Sequence, residues 1–415
     1  MDTRKGLAVL GSTGSVGVNT LDVVTSHPTT FAVLALAAHS NVDLLEEQVR
    51  RFRPRLAVLF DEEKAGLLRH RLQGLDIEVD TGIEGLCRAA TYSGVQMVMS
   101  AVVGSIGLLP TIRAVQAGID VALANKETLV MAGELVMRPD QPTWGRIIPV
   151  DSEHNAIFQC LEGRIQSSGF RVQKERGTRE ETEPCNLNPE PSADVRRIIL
   201  TASGGPFRET PADKFASITV EQALKHPTWN MGPKITIDSA TLFNKGLEMI
   251  EAHWLFGVGM RQVEVVIHPQ SIVHSMVEFA DGSVLAQLSY SNMCFPIQYA
   301  ITWPERVPNS LPPLDFGKLG ELKFARPRYD DFPALGLARR AGETGGTFPA
   351  VLNAANEIAV SAFLEKRMSF PRIWQTVEQV MNAHESVAHP DLDEILRADQ
   401  WARAEAKRNV EALKG

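Results

Sequence analysis

The residues best suited to chemistry fall in short, widely separated segments. Asp151-Ser152-Glu153 follows an apolar run at 147–150 that reads as a strand. Residues i and i+2 of an extended chain share one face, so both carboxylates are expected to converge beside the carboxyl end of a sheet, where open α/β sheets bind ligands. Paired carboxylates are hard oxygen donors that suit Mg2+ or Mn2+. Taken alone, the pair reads equally well as a solvated acidic loop. A third acid stands in the run from Asp238 to Glu248, with Asp238 or Ser239 as a plausible helix N-cap. On the helix that follows, Glu248 neighbours both Asn244 and Lys245 on one face. An amide, an ammonium and a carboxylate there can hold a phosphate, a hydroxyl and a metal. Without more context, an exposed Lys–Glu pair is the plainer reading.

A second kind of chemistry is written in Gly11-Ser12-Thr13-Gly14-Ser15-Val16-Gly17, which follows the first apolar run and opens a helix. Glycines let backbone N–H groups approach a pyrophosphate, and the helix N-terminus adds partial positive charge. The spacing is G-x-x-G-x-x-G, and a turn that binds nothing is the alternative. The second strand ends in Ala38-His39-Ser40-Asn41 with no acid. An NAD enzyme places a carboxylate there for the ribose 2′-hydroxyl; its absence permits NADPH. A Gly/Pro-rich stretch from Ser203 to Gly232 carries His226, Trp229 and Met231. It reads as a lid, although core packing for Trp229 and a surface position for His226 are the plainer readings of each alone.

These residues need elements to position them. Apolar runs at 7–10, 31–38, 56–60, 95–101, 121–124 and 147–150 read as buried parallel strands, with amphipathic stretches such as 44–52 and 109–117 between them. The pattern predicts an α/β chain with an N-terminal doubly wound, Rossmann-like domain over 1–150. Texture changes after Asp151. Residues 166–194 are polar and read as an exposed loop, 198–200 as a strand, and 271–289 as a hairpin around Asp281-Gly282. A central α+β catalytic domain is expected over 151–302, a Pro-rich linker over 303–333, and a helical C-terminal domain over 334–415.

Composition narrows the function class. The chain has 415 residues and a formal net charge of −8, which provides no basic field for nucleic acid or an anionic membrane. No apolar run reaches membrane-spanning length, and no signal peptide is expected. Cys87, Cys160, Cys185 and Cys294 are spaced for neither zinc nor a disulfide framework, so a reducing cytoplasm is the expected location.

Together the segments resemble the 1-deoxy-D-xylulose 5-phosphate reductoisomerase family. The matching stretches are GSTGSVG from Gly11, ANKETLV from Ala124, PVDSEHNAIFQC from Pro149, TASGGPFRE from Thr201 and HPTWNMGPKITIDSATLFNKGLEMIEAHWLF from His226. HPQSIVHSMVEFADGSVLAQL from His268 and LNAANE from Leu352 extend the match over essentially the whole chain. The resemblance implies that Thr13, Gly14, Ser15, Val16, Asn41, Asn125, Glu127 and Gly232 contact NADPH. It implies that Asp151, Glu153 and Glu248 hold a divalent metal (Mg2+ or Mn2+). It further implies that Lys126, Ser152, Glu153, Ser203, His226, Ser239, Asn244, Lys245 and Glu248 bind a sugar phosphate, with Trp229 and Met231 on the closing lid. Among these, Asp151, Glu153, Glu248, Lys126 and His226 are the catalytic set it implies. The implied reaction is NADPH-dependent rearrangement and reduction of 1-deoxy-D-xylulose 5-phosphate to 2-C-methyl-D-erythritol 4-phosphate by a homodimer.

The chain departs from the family pattern in three places. His39 and Ser40 stand where a Gly and a basic residue are usual, 166–194 is longer than usual, and Asn292-Met293-Cys294 replaces Asp-Met-Arg. A plain NADP-dependent dehydrogenase would need neither three converging acids nor a lid. A nucleotide-sensing protein without catalysis would be expected to lack Asp151, Glu153, Glu248 or Lys126, and all four are present.

Overall fold

The computed structural model describes residues 3–137, 141, 143–165 (backbone alone for 163–165), 194–229 and 231–412. The short apolar runs become β1 (Lys5–Leu10), β2 (Phe31–Ala38), β3 (Leu56–Leu59), β5 (Met97–Ser100), β6 (Asp120–Leu123) and β7 (Ile147–Pro149), joined by β4 (Glu78–Thr81). Between them lie α1 (Ser15–Ser26), α2 (Val42–Phe52), α3 (Glu62–Arg71), α4 (Gly82–Ala90), α5 (Leu108–Gln116) and α6 (Lys126–Val136). The strands form one parallel sheet in the order β4-β3-β2-β1-β5-β6-β7. Leu7, Val9, Leu36, Leu56, Val98 and Val121 are fully buried, as expected of a sheet covered on both faces. The order reverses between β1 and β5, and that switch point opens the crevice in which such sheets take a dinucleotide. Strand β4 has no apolar run. As an edge strand with exposed or half-buried side chains it needs none, and so periodicity does not reveal it.

The second layer begins with α7 (Ser152–Ile165) and β8 (Val195–Ala202), followed by α8 (Val220–Ala223), α9 (Pro233–Thr241) and α10 (Phe243–Phe256). Then come β9 (Val263–Ile267), β10 (Val273–Phe279), β11 (Val284–Leu288) and α11 (Cys294–Thr302). The four strands pair in the order β11-β10-β8-β9. The hairpin between β10 and β11 turns at Asp281-Gly282, where Gly282 takes φ 84° and Asp281 Oδ1 accepts from Ser283 N at 2.9 Å. After α12 (Phe316–Leu319) the chain ends in α13 (Ala334–Thr344), α14 (Phe348–Leu364), α15 (Arg372–Asn382) and α16 (Leu392–Ala412). The molecule is thus a mixed α/β protein with a Rossmann-like sheet, a central α+β layer and a C-terminal helical region. Among the described residues, no helix is long and apolar enough to cross a membrane.

Four local expectations are corrected. Strand β7 stops at Pro149 and α7 opens at Ser152, so Glu153 lies in the first turn of a helix and not on an extended chain. Asp238 and Ser239 cap nothing: Gly232-Pro233 starts α9 earlier and places both in its second half. Leu242, in the left-handed region at φ 65°, then breaks that helix from α10. The stretch 203–232 is not one lid. Phe207, Phe215, Ile218, Val220 and Ala223 are buried, and Phe215 packs on Phe332 and Trp374 with ring centroids 5.2 and 6.1 Å apart. In contrast, none of the described residues from 225 to 232 has a buried side chain. The Pro-rich stretch 303–333 is docked along the second sheet, with Ala325 bridged to Ile267 and Lys323 O accepting from His268 Nδ1 at 2.8 Å. The polar stretch at 166–193 and Cys185 lie outside the described residues.

Candidate active site

The Gly-rich turn is shaped by close approach. A Cβ on Gly11 (φ 85°) would sit 2.4 Å from Ala101 O, and one on Gly17 would sit 2.2 Å from Gly11 O. Only glycine lets this turn fold so tightly against β5 and α1. Gly14 is the N-cap of α1 and supplies no side-chain cap, and the first helical turn carries no acid. The first N–H groups of α1 therefore face the crevice unpaired, as a pyrophosphate requires. Gln48 Nε2 donates to Ser12 O at 2.8 Å and ties the turn to α2. Asn41 caps α2 by accepting from Leu44 N at 3.1 Å, at the carboxyl end of β2.

A cleft of about 690 Å³ runs from this turn to the second layer. Gly14, Ser15, Val16, Asn125, Lys126, Glu127, Asp151, Ser152 and Glu153 line it from the Rossmann side. Ser203, His226, Trp229, Met231, Gly232, Ser239, Asn244 and Lys245 line it from the other. Thr13 is half-buried within the turn, Asn41 stands off the cleft, and Glu248 lies fully buried beneath its floor. Asn125 serves the scaffold: its side chain caps α6 at Thr128 N (2.9 Å) and donates to Val102 O (2.7 Å) and Gly104 O (2.9 Å). That leaves its amide no free bonding group.

The three acids meet. Oxygens of Asp151, Glu153 and Glu248 lie within 4.8 Å of one another. Lys126, first residue of α6, reaches Asp151 Oδ2 at 2.6 Å, Asn244 Oδ1 at 2.7 Å and Glu248 Oε1 at 3.2 Å. Lys245 reaches Glu153 Oε1 at 2.8 Å and also pairs with Glu248. Asn244 Nδ2 donates to Glu248 Oε1 at 2.5 Å, one turn along α10, and Ser152 Oγ donates to Glu153 Oε2 at 2.6 Å. Three carboxylates thus share two ammoniums, which leaves one negative charge uncompensated. Burial and the Glu153 charge push Glu248 up to about 7, against Lys126 and Lys245. Burial also opposes ionisation of Asp151, but Lys126 and His154 outweigh it and hold that carboxyl well below its ordinary value. Lys126, pulled down by burial, is carried well above its usual value by Asp151 and Glu248.

All three donors are hard oxygens, and the surplus charge is negative. The cluster therefore fits a divalent cation of the Mg2+ or Mn2+ kind. Because Glu248 must lose its proton to ligate, cation affinity is expected to rise as pH passes upward through about 7. Calorimetry at pH 6 in two buffers of different ionisation enthalpy should show about one proton released per Mg2+ bound, falling towards zero near pH 8.5. Equal release at both pH values would contradict the assignment of the raised group.

Sequence reasoning missed several residues here. His154 and Glu251 are buried behind the acids, with His154 Nε2 donating to Glu248 O at 2.9 Å and Nδ1 lying 3.2 Å from Glu251 Oε2. Burial raises Glu251 to about 7. Glu251 was findable, since it lies three residues after Glu248 on α10 and so on the same helical face; His154 was not, since Asp151 precedes α7 and its segment read as a strand. Lys234 bridges Glu127 and Asp238, and His274, whose Nε2 lies 2.9 Å from Ser289 Oγ, lines the cleft.

Fold and site together define a dinucleotide-dependent oxidoreductase whose oxygen-donor cluster could hold a divalent cation. Family models match in three blocks: "1-deoxy-D-xylulose 5-phosphate reductoisomerase" at residues 7–133, its C-terminal domain at 147–256, and "DXP reductoisomerase C-terminal domain" at 288–405. The chain belongs to the 1-deoxy-D-xylulose 5-phosphate reductoisomerase family. The relative of that name from Trichlorobacter lovleyi is 50% identical over 403 residues, 97% of each chain. The one from Gloeobacter violaceus is 47% identical over 409 residues, 98% of each. Among solved structures, the reductoisomerase from Zymomonas mobilis in complex with NADPH superposes with TM-score 0.87 at 40% identity, covering 99% of this chain and 100% of its own. A DOX-P reductoisomerase in complex with NADPH, fosmidomycin and magnesium superposes with TM-score 0.89 at 39% identity, covering 99% of both.

Proposed function

We infer that this enzyme converts 1-deoxy-D-xylulose 5-phosphate to 2-C-methyl-D-erythritol 4-phosphate with NADPH and Mg2+ or Mn2+, an early step of the non-mevalonate route to isoprenoid precursors. The observation that carries this reading is the meeting of Asp151, Glu153 and Glu248 with Lys126 beside a crevice built for a dinucleotide. A plain dehydrogenase would not need that cluster. The cation supplies Lewis acidity at the substrate's carbonyl and neighbouring hydroxyl, and NADPH supplies the hydride.

The protein's own groups do the rest. Asp151, Glu153 and Glu248 are the metal ligands, and Lys126, drawn to the same place, is set to donate to a substrate oxygen. The phosphate falls to Ser203, Ser239, Asn244, Lys245 and His226. His226 Nδ1 accepts from Trp229 N at 2.8 Å, so its Nε2 carries the proton and donates to Ser203 Oγ at 3.0 Å. The Ser203 hydroxyl hydrogen is thereby left free for the phosphate. Binding energy collected at this end is available to the reacting carbons. Trp229 and Met231 on 225–232 would cover the substrate and exclude water. The cofactor end falls to Thr13, Gly14, Ser15, Val16, Asn41, Glu127 and Gly232, and to Asn125 through its backbone.

Val284 and Leu285 on the edge strand β11 are 47% and 50% exposed, which supports a homodimer built on that edge. The location proposed is the cytoplasm. NADPH oxidation followed with and without the sugar phosphate and Mg2+ tests the reading; oxidation that needs neither would overturn it. The carboxyl end of β2 carries no acid, so kcat/KM is expected to favour NADPH over NADH strongly, and equal values would remove the cofactor assignment.

A further inference from the structure

Lys126 and Lys245 are absorbed by the acidic cluster, yet a third cation lines the cleft. Lys234, in the first turn of α9, places its ammonium 2.7 Å from Asp238 Oδ2 and 3.3 Å from Glu127 Oε1. Asp238 is 1% exposed, and its other oxygen accepts from Asn356 Nδ2 on α14 at 2.8 Å. One ammonium therefore joins α6, α9 and, through Asp238, the C-terminal helical region. Asn356 is fully buried, and its Oδ1 finds no protein partner among the described residues. An orphaned buried acceptor works against stability. The bond Asn356 does make fixes the direction of the Asp238 carboxylate, and through it that of Lys234.

The far end of this chain is Glu127, 9% exposed at its side chain and on the cleft wall beside Asn125. Without Lys234, the Glu127 and Asp238 carboxylates would face each other across a half-buried gap, and repulsion would turn Glu127 from its present direction. We propose that Asn356, Asp238 and Lys234 form a positioning relay, rooted in the C-terminal helices, that aims the Glu127 carboxylate at a donor group of the bound dinucleotide. This rests on the reading that places NADPH in the cleft. The C-terminal region then takes part in cofactor binding without touching the cofactor.

The test is a double-mutant cycle read by NADPH titration of the full chain, without substrate, using nicotinamide fluorescence, with thermal midpoints measured in parallel. Wild type must first bind NADPH; if it does not, the reading of the cleft fails and not the relay. Lys234→Met and Glu127→Gln are each expected to weaken binding about tenfold, the size of one charge-assisted contact. Since Lys234 acts through Glu127, the double variant should be no weaker than the weaker single. Asn356→Asp, isosteric but charged, should weaken NADPH about as much as Lys234→Met. A merely structural role would lower the thermal midpoint and leave Kd alone. Losses that multiply in the double variant, or an unchanged Kd in Lys234→Met or Asn356→Asp, would overturn the relay.

Discussion

Glu248→Gln is expected to lower kcat by at least ~100-fold while NADPH binding stays near normal. Glu248 is fully buried and touches Lys126, Asn244 and Lys245 at once, so no other acid can take its place without unpairing one of them. The amide keeps the shape but gives up a charge that a divalent ligand set needs. It also turns one acceptor into a donor facing an ammonium, that of Lys126 or of Lys245. The Gly11–Gly17 turn lies at the opposite end of the cleft and is untouched. In wild type, a strong chelator should abolish turnover and Mg2+ or Mn2+ should restore it; in the variant, added metal should restore little. Chelator-resistant activity, or near-normal rates in both Glu248→Gln and Asp151→Asn, would sink the metal centre and the mechanism built on it.

Lys126→Met should have a comparable effect on turnover and a second, diagnostic effect on stability. Lys126 is 7% exposed at its side chain and neutralises Asp151 and Glu248 together. Removing one partner of a buried ion pair costs about 3 kcal/mol or more, because the remaining charges stay buried and unpaired. The metal-free variant should therefore melt well below wild type. Saturating Mg2+ can neutralise the same carboxylates, so most of that loss should disappear when the cation is added. Turnover should stay ~100-fold down, since a cation held by the acids does not replace a donor directed at the substrate. A thermal loss that Mg2+ fails to reduce would mean that Lys126 holds the fold by packing alone.

Much of this protein was legible in its residue order. Strand periodicity located six of the seven Rossmann strands, because a parallel sheet buried on both faces must be written as unbroken apolar runs. The Gly11–Gly17 turn and the Asp281-Gly282 hairpin were legible because each backbone path demands glycine. The acids Asp151, Glu153 and Glu248 could be named as candidate ligands only through the family resemblance of their segments, since donor type by itself read as well as a solvated loop and an exposed Lys–Glu pair.

What brought them together could not be read. Asp151 and Glu153 were expected to converge by strand alternation; they converge because β7 ends at Pro149 and a helix opens at Ser152. Glu248 was expected on a helix capped by Asp238 or Ser239; it is aimed by a left-handed break at Leu242, a residue type with no preference for that conformation. Residues 207–224 looked like part of a lid, yet the aromatic cluster of Phe215, Phe332, Phe370 and Trp374, drawn from distant segments, holds them down. Asn356, Asp238, Lys234 and Glu127 are separated by up to 229 positions, and no local pattern marks them as a set. Local sequence determines what a backbone can do and which donors a side chain carries. Which carboxylates share an ammonium is decided by burial, since only in a low-dielectric interior must each charge find its partner, and that interior exists only once the two sheets and the C-terminal helices have packed.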